Sequence, residues 1–528
     1  MLSLIRDAFF LFSLLMTFLL VPAPVCAQRG NPDVALDGET VDQMVATFMK
    51  EHRIPGMTLA IVQAPYVSRV VGYGTADVEK RLLASPRTLW NVGQLTRAYT
   101  AVAVVQLAEM GKLTLDDRVG THLADLPMAW QSITLRQLLA HSSGLPDYVD
   151  QPGFRPELDS RAGEILALVR NRPVEAAPGA RVKPSATDFL LLSLVVEKVS
   201  GMTFEAFVTK HQIERLGLKS TVFASTVGDV PREEVEKNDF KHREFLRDRQ
   251  YIHPAEGATG YAEREGKLVA VPRNSQGAWN GFGAVFASAE DISLWDIGLA
   301  GSVLVSRPEN RAFLYRGVNL NDNSSVPAHC GWRFPGHKGL MDIEGHVPGF
   351  SCYLSRFTDR SELLCVTLCA NKEGVDLSVL ARRIAGAFDR RLGPPVGAGV
   401  MTCRESCFSV GDTVDRLETF LKDRKVEISA RINHTAAAAR QNLEMPPAEV
   451  LIFGNPAVGT YLMQKHPSAA LDLPLRVAVW QEADGTVWLG YHDVAGIAAS
   501  HGAIEHPEIV AGMRTALTAA VRHATVPY

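Results

Sequence analysis

Seven residues, Gly393-Pro394-Pro395-Val396-Gly397-Ala398-Gly399, restrict this chain more than any other stretch. Proline fixes φ and lacks an N–H, and glycine loses the most backbone entropy on ordering. Neither helix nor strand therefore runs through such a cluster. The chain on each side must close a hydrophobic core of its own. A length of 528 residues agrees, being too long for one ordinary domain. Hydrophobic residues make up 46%, enough for two such cores and too many for a disordered chain. The boundaries we expect are 1–27 for a signal peptide, 28–392 for a large domain, 393–411 for the linker and 412–528 for a small domain.

The start of the chain reads as a secretory leader. Arg6 supplies the positive charge, Phe9 to Val21 the apolar stretch, and Val25-Cys26-Ala27 the small residues a signal peptidase reads. The apolar stretch is short for a membrane span and no stop-transfer charges follow it. Ala23-Pro24-Val25 lacks the pattern that precedes a lipoprotein cysteine, and an uncleaved anchor is the alternative. We expect an exported protein, periplasmic or extracellular, with no membrane span after cleavage. Of seven cysteines, Cys26 falls in the leader, which leaves Cys330, Cys352, Cys365, Cys369, Cys403 and Cys407. Export permits disulfides, and Cys403 and Cys407 are close enough in sequence to bridge; free buried thiols are the other option. A net charge of −4 with no long basic run gives no electrostatic reason to expect nucleic acid or an anionic membrane as partner.

Hydrophobic spacing places the elements. Val41, Met44, Val45, Phe48 and Met49 recur at helical spacing over residues 39–52. Residues 57–63 and 67–72 are β-branched-rich and read as paired strands. Residues 95–110 form a largely apolar helix closed by Gly111, 135–140 a short helix, and 189–199 an apolar helix closed by Gly201. A hairpin spans 350–357 and 362–368 around Thr358-Asp359-Arg360, and 377–391 is an amphipathic helix. Past the linker come a helix at 414–423, a strand at 426–432, a helix at 435–443 and a strand at 449–454. Two strands at 475–481 and 487–491 then meet at Asp484-Gly485. No internal repeat is present.

Five segments then occur in a telling order. Leu89-Trp90-Asn91-Val92-Gly93-Gln94-Leu95-Thr96-Arg97 comes first, followed by Gly111-Lys112-Leu113-Thr114-Leu115-Asp116-Asp117. Next are His141-Ser142-Ser143-Gly144-Leu145-Pro146 and Ser288-Ala289-Glu290-Asp291. The last is Gly331-Trp332 with Val347-Pro348-Gly349-Phe350-Ser351. Together they resemble the serine β-lactamases, the penicillin-binding D-alanyl-D-alanine carboxypeptidases and their esterase relatives, over roughly residues 35–392. The resemblance implies an α/β (α+β) fold: an antiparallel sheet flanked by helices, with a helical subdomain. The small α+β domain follows it.

That family's chemistry uses three motifs, and each is altered here. The first is Ser-x-x-Lys at a helix start, where the serine attacks a carbonyl and the lysine one turn on handles the proton. The matching positions hold Gln94 and Arg97. A carboxamide has no useful nucleophile, and arginine keeps its proton at physiological pH. No serine in the chain has lysine three residues later. The second motif, Tyr-x-Asn or Ser-x-Asn, is replaced by Pro184-Ser185-Ala186. The third, Lys-Thr-Gly or His-x-Gly, falls on Ile343-Glu344-Gly345, with His346 as the family histidine if the loop is shortened. Loss of the nucleophile alone removes about six orders of magnitude in rate. Thr96, Tyr99, Ser143 and Ser185 are the hydroxyls in the matched segments that an alternative chemistry would use. As ordinary residues, a Gln and an Arg at a helix start would read as surface.

Ala430-Arg431-Ile432-Asn433-His434, Leu451-Ile452-Phe453-Gly454-Asn455-Pro456, Leu471-Asp472-Leu473-Pro474-Leu475 and Asp484 to Tyr491 resemble domain of unknown function family 302. That resemblance implies an α+β fold and no established activity. His434, Asn455, Asp472 and Tyr491 are its candidate site residues, with His492 and His501 as further acid–base groups. Their plain reading is as loop and turn residues, and their spacing fits no metal template.

Three functions follow as expectations. In the first, the chain is a catalytically inactive relative of these enzymes that binds a cell-wall peptide or a protein partner. Arg97 and the free N–H groups at the helix start would then hold a carboxylate. In the second it is an active serine hydrolase with a non-standard nucleophile. In the third the C-terminal domain binds a ligand or metal. No cofactor and no resident metal are expected.

Overall fold

The structure is a computed structural model and describes residues 31, 33–64, 66–227, 257–336, 339–358, 363–395, 401–503 and 507–527. The expected leader at 1–27, the middle of the expected linker at 396–400, and Asp359 and Arg360 lie outside them.

Eight strands form the main sheet: β1 (Gly56–Gln63), β2 (Tyr66–Asp77), β3 (Leu82–Leu83), β4 (Ala328–His329), β5 (Trp332–Arg333), β6 (Met341–Val347), β7 (Phe350–Arg356) and β8 (Leu364–Ala370). They lie in the order β4-β5-β6-β7-β8-β1-β2-β3, and all pairings are antiparallel. The hairpin from the start of the domain thus adds to strands from its end, with Val366 opposite Ile61. Side chains alternate across β1. Met57, Leu59 and Ile61 enter one core while Ala60 and Val62 enter the other. Both faces are covered, so these strands read as continuous apolar runs.

One face packs on α1 (Val41–Glu51), which opens with a capping box between Thr40 and Gln43. The other face carries the helical region: α2 (Thr96–Glu109), α3 (Leu135–Leu139), α4 (Ala186–Ser200) and α5 (Ala289–Ala300). The helix α6 (Leu377–Phe388) returns to the first face beside α1. Residues Thr96 to Leu107 of α2 are all buried, which explains why its apolar residues run round the whole helix. Gly201, at φ +75°, ends α4 in the left-handed conformation glycine favours. A three-residue helical turn, Gly93–Leu95, precedes α2, so the helix proper begins after position 94.

His329 in β4 is buried, and its Nδ1–H donates to the Phe313 carbonyl at 2.8 Å. Burial first, with Arg316 and Arg136 nearby, pushes its pKa down to about 4 against the Phe313 bond. Below pH 6.5 the unfolded chain takes up a proton that the folded protein refuses, so stability falls with pH until about 4. The loss is about 3 kcal/mol over that window. Denaturation of the wild type and His329→Gln from pH 7 to 4 checks this: the gap between them shrinks by that amount as pH falls.

The second sheet has five strands: β9 (Thr402–Ser406), β10 (Glu427–Asn433), β11 (Ala448–Gly454), β12 (Leu475–Gln481) and β13 (Val487–Tyr491). Their order is β9-β13-β12-β11-β10, again antiparallel throughout. The helices α7 (Val410–Asp423) and α8 (Pro507–Thr525) pack on it through Val414, Leu417, Leu517 and Val521. Shorter helices span His434–Ala439, Pro456–Lys465 and Val494–Ser500.

One expectation is corrected, and one pair of alternatives is decided. The linker drawn at 393–411 contains β9 and the start of α7, so the small domain already begins at Thr402. The cysteines Cys330, Cys352, Cys365, Cys369, Cys403 and Cys407 are all free thiols. Cys403 lies within β9 and Cys407 just beyond it. An extended chain sets residues four apart about 13 Å from one another, too far for a disulfide. Cys403 packs with Trp488 instead.

Candidate functional site

Gln94 sits in the turn Gly93–Leu95, where β6 passes close by. The approach is tight because both sides are glycine. A Cβ on Gly345 would lie 1.9 Å from the Val92 carbonyl oxygen, and one on Gly93 (φ +55°) 2.9 Å from the His346 nitrogen. Across this gap the Gln94 Oε1 accepts a hydrogen bond from the His346 backbone N–H. A strand N–H aimed at the nucleophile position is the kind of donor that stabilises an oxyanion in acyl transfer. Here the chain's own carboxamide oxygen occupies it.

Arg97 turns inward and is only 5% exposed. Its Nε donates to the Gln94 carbonyl at 3.1 Å and its Nη1 donates to His141 Nε2 at 3.2 Å. The guanidinium also lies over the Phe282 ring at 5.7 Å. Because an arginine only donates, His141 Nε2 accepts, and its Nδ1 lies 2.9 Å from Asp188 Oδ2 and 3.3 Å from the Ser185 backbone nitrogen. Burial first, and then Arg97, holds the His141 imidazole well below its usual pKa. Burial pushes the Asp188 carboxyl well above its own, against the hydrogen bond from Ser143. A fully buried chain Arg97–His141–Asp188–Ser143 therefore lies beneath the nucleophile position. This corrects the expectation that Arg97 holds a ligand carboxylate. Asp188, one polar residue at the head of an apolar helix, was the sequence signal for it.

The other motif residues sort by exposure. Pro184 and His346 are half-buried like Gln94, whereas Ser185, Ala186, Ile343 and Gly345 are buried. Ser185 caps α4, its Oγ accepting from the Thr187 N–H at 3.2 Å. Ile343 joins the core of the helical region. The His346 ring lies 3.5 Å from Glu344 and 3.4 Å from the Ser351 hydroxyl. Burial first, then Arg522, lowers its pKa against the pull of Glu344. The remaining hydroxyls are engaged or enclosed. Thr96 Oγ1 accepts from the Val285 N–H at 3.3 Å, Ser143 bonds Asp188, and Tyr99 stacks on Trp295 with ring centroids 4.4 Å apart.

Behind β6 the two domains meet in buried charge. Glu344 Oε1 accepts from Arg333 at 2.8 Å and from Arg404 at 2.6 Å, and Glu344 Oε2 faces Arg522 at 3.0 Å. Arg333 also bonds Asp342, Arg404 bonds Asp376, and Arg382 pairs with Glu405 at 3.1 Å. Burial would raise the Glu344 carboxyl, yet Arg333, Arg404 and Arg522 outweigh it and hold it well below the usual range.

In the C-terminal domain the candidates do not converge. His434 is exposed, Asn455 caps the helix Pro456–Lys465, and Tyr491 ends β13. Asp472 alone meets another candidate, His501, at 2.8 Å. Among the described residues no three His, Cys, Asp or Glu side chains gather as a metal site, and no helix is long and apolar enough to cross a membrane.

Comparison with known proteins places this geometry. Protein flp of Staphylococcus aureus (strain MW2) is 28% identical over 327 residues, 60% of each chain. This chain thus matches about three-fifths of that relative's length. The octameric penicillin-binding protein homologue of Pyrococcus abyssi superposes with a TM-score of 0.54 at 20% identity, over 85% of this chain and 89% of that one. FmtA of Staphylococcus aureus gives 0.53 at 18%, over 71% and 95%. Residues 402–524 match the family model described as domain of unknown function DUF302. Residues 41–387, the greater part of the chain, match the model described as Beta-lactamase, and the protein belongs to that family.

Proposed function

We propose that the large domain is a non-hydrolytic binding module: an exported member of the family that holds a cell-wall peptide or a partner's peptide segment without cleaving it. The observation that carries this is the Gln94 carboxamide at the nucleophile position, with its oxygen on the His346 N–H. An acyl-enzyme needs an alkoxide there and a vacant oxyanion donor, and one residue removes both. The usual base is replaced by Arg97, which is buried and held by His141. Of the altered motif positions, Gln94, Pro184 and His346 are the ones that stay partly exposed. These are neutral hydrogen-bonding and apolar groups, suited to an amide backbone more than to an anion.

The test is calorimetric titration with a stem peptide ending in D-alanyl-D-alanine, with the mixture then assayed for free D-alanine. Saturable binding with no release, weakened by Gln94→Ala, supports the reading. Release of D-alanine, or no binding by the folded protein, counts against it.

A further inference from the structure

The C-terminal domain carries a second cluster that the β-lactamase-like site does not use. Ser468 lies on the short helix Pro467–Leu471 and is exposed. His501 follows the helix Val494–Ser500, and Asp472 lies just past Leu471. His501 Nε2 is 2.8 Å from Asp472 Oδ2, and His501 Nδ1 is 3.0 Å from Ser468 Oγ. A carboxylate only accepts, so Nε2 carries the proton and the neutral ring presents Nδ1 as acceptor to the Ser468 hydroxyl. The polarity therefore runs from hydroxyl to imidazole to carboxylate, the order that activates a serine. The imidazole is 9% exposed and the carboxylate 34%, so the base is sheltered while Ser468 is an exposed residue.

The same imidazole borders a small apolar recess with Leu462, Leu473, Val494, Ala498 and Met513, a cavity of about 20 Å³. A recess of that size has room for about one methyl group, so of the acyl groups it favours the shortest.

We propose that Ser468, His501 and Asp472 form a nucleophilic site for short apolar acyl esters with a good leaving group. The Ser468 Oγ attacks the ester carbonyl as its proton passes to His501 Nδ1, and Asp472 holds the resulting imidazolium. The C–O bond to the leaving group breaks and that group takes the proton. Water then attacks the acyl-serine, gives its proton to Nδ1, and the proton returns to Oγ as the acid departs. The leaving group must be good because Oγ lies at the open surface, where water screens a developing oxyanion.

Full-length protein with p-nitrophenyl acetate and butyrate tests this, alongside a fluorophosphonate label located by peptide mapping. Turnover is expected to fall to the uncatalysed background in Ser468→Ala and about 100-fold in His501→Gln, with the label on Ser468. The butyrate, whose chain is too long for the recess, is expected to turn over more slowly than the acetate. Turnover unchanged in Ser468→Ala, or a folded protein with neither turnover nor label at Ser468, overturns the proposal. Because the label is mapped by residue, either outcome leaves the reading of Gln94 to its own test.

Discussion

Glu344→Gln is expected to lower the unfolding free energy by about 3–5 kcal/mol, the range for removing one partner from a buried ion pair. In the wild type this one carboxylate faces Arg333, Arg404 and Arg522, and the first two are almost wholly buried. Glutamine keeps the shape and some of the hydrogen bonding but removes the charge that offsets three guanidinium groups. Asp342 and Asp376 remain, each already bonded to one of them. Denaturation followed by circular dichroism measures the loss. Arg522→Gln gives the coupling: it is expected to cost less in the Glu344→Gln background than alone, because a cation beside its former partner has become a liability. Additive losses would mean that the C-terminal helix does not share this carboxylate.

Arg97→Ala is expected to cost a similar amount, about 3–5 kcal/mol, from two sources. His141 Nε2 loses its donor in a dry interior, worth about 1–3 kcal/mol. The guanidinium and its stem also leave a void beside Phe282. A second readout separates this from simple truncation. Arg97 is one of the groups that depress the His141 pKa, so in Arg97→Ala that imidazole titrates higher, visible by NMR of its ring protons. A surface arginine at a helix start, the plain reading of the sequence, would change neither quantity.

These residues also mark where sequence reading worked. The apolar run at 95–110 and the β-branched-rich run at 57–63 gave α2 and β1 almost to the residue, because burial there is enforced by segments of the same domain. The fold was carried by motif order, and Gln94 and Arg97 stand at the start of α2 as expected. β9 was missed for a physical reason. Thr402-Cys403-Arg404-Glu405-Ser406 is polar, and its Arg404 and Glu405 are buried only because Glu344, Asp376 and Arg382 of the other domain meet them. No local pattern announces that. Nor does one announce that Arg97 points inward, since its partner His141 is 44 positions away in sequence. Ser468 escaped notice likewise, because its relation to His501 exists only once two loops are folded together.

The account turns most directly on whether the large domain forms a covalent acyl-enzyme. Intact-mass measurement after incubation with benzylpenicillin, with peptide mapping of any adduct, decides it. The expected result is an unchanged mass over residues 41–387. A penicilloyl group on any side chain in that span, lost when that side chain is replaced, would contradict it.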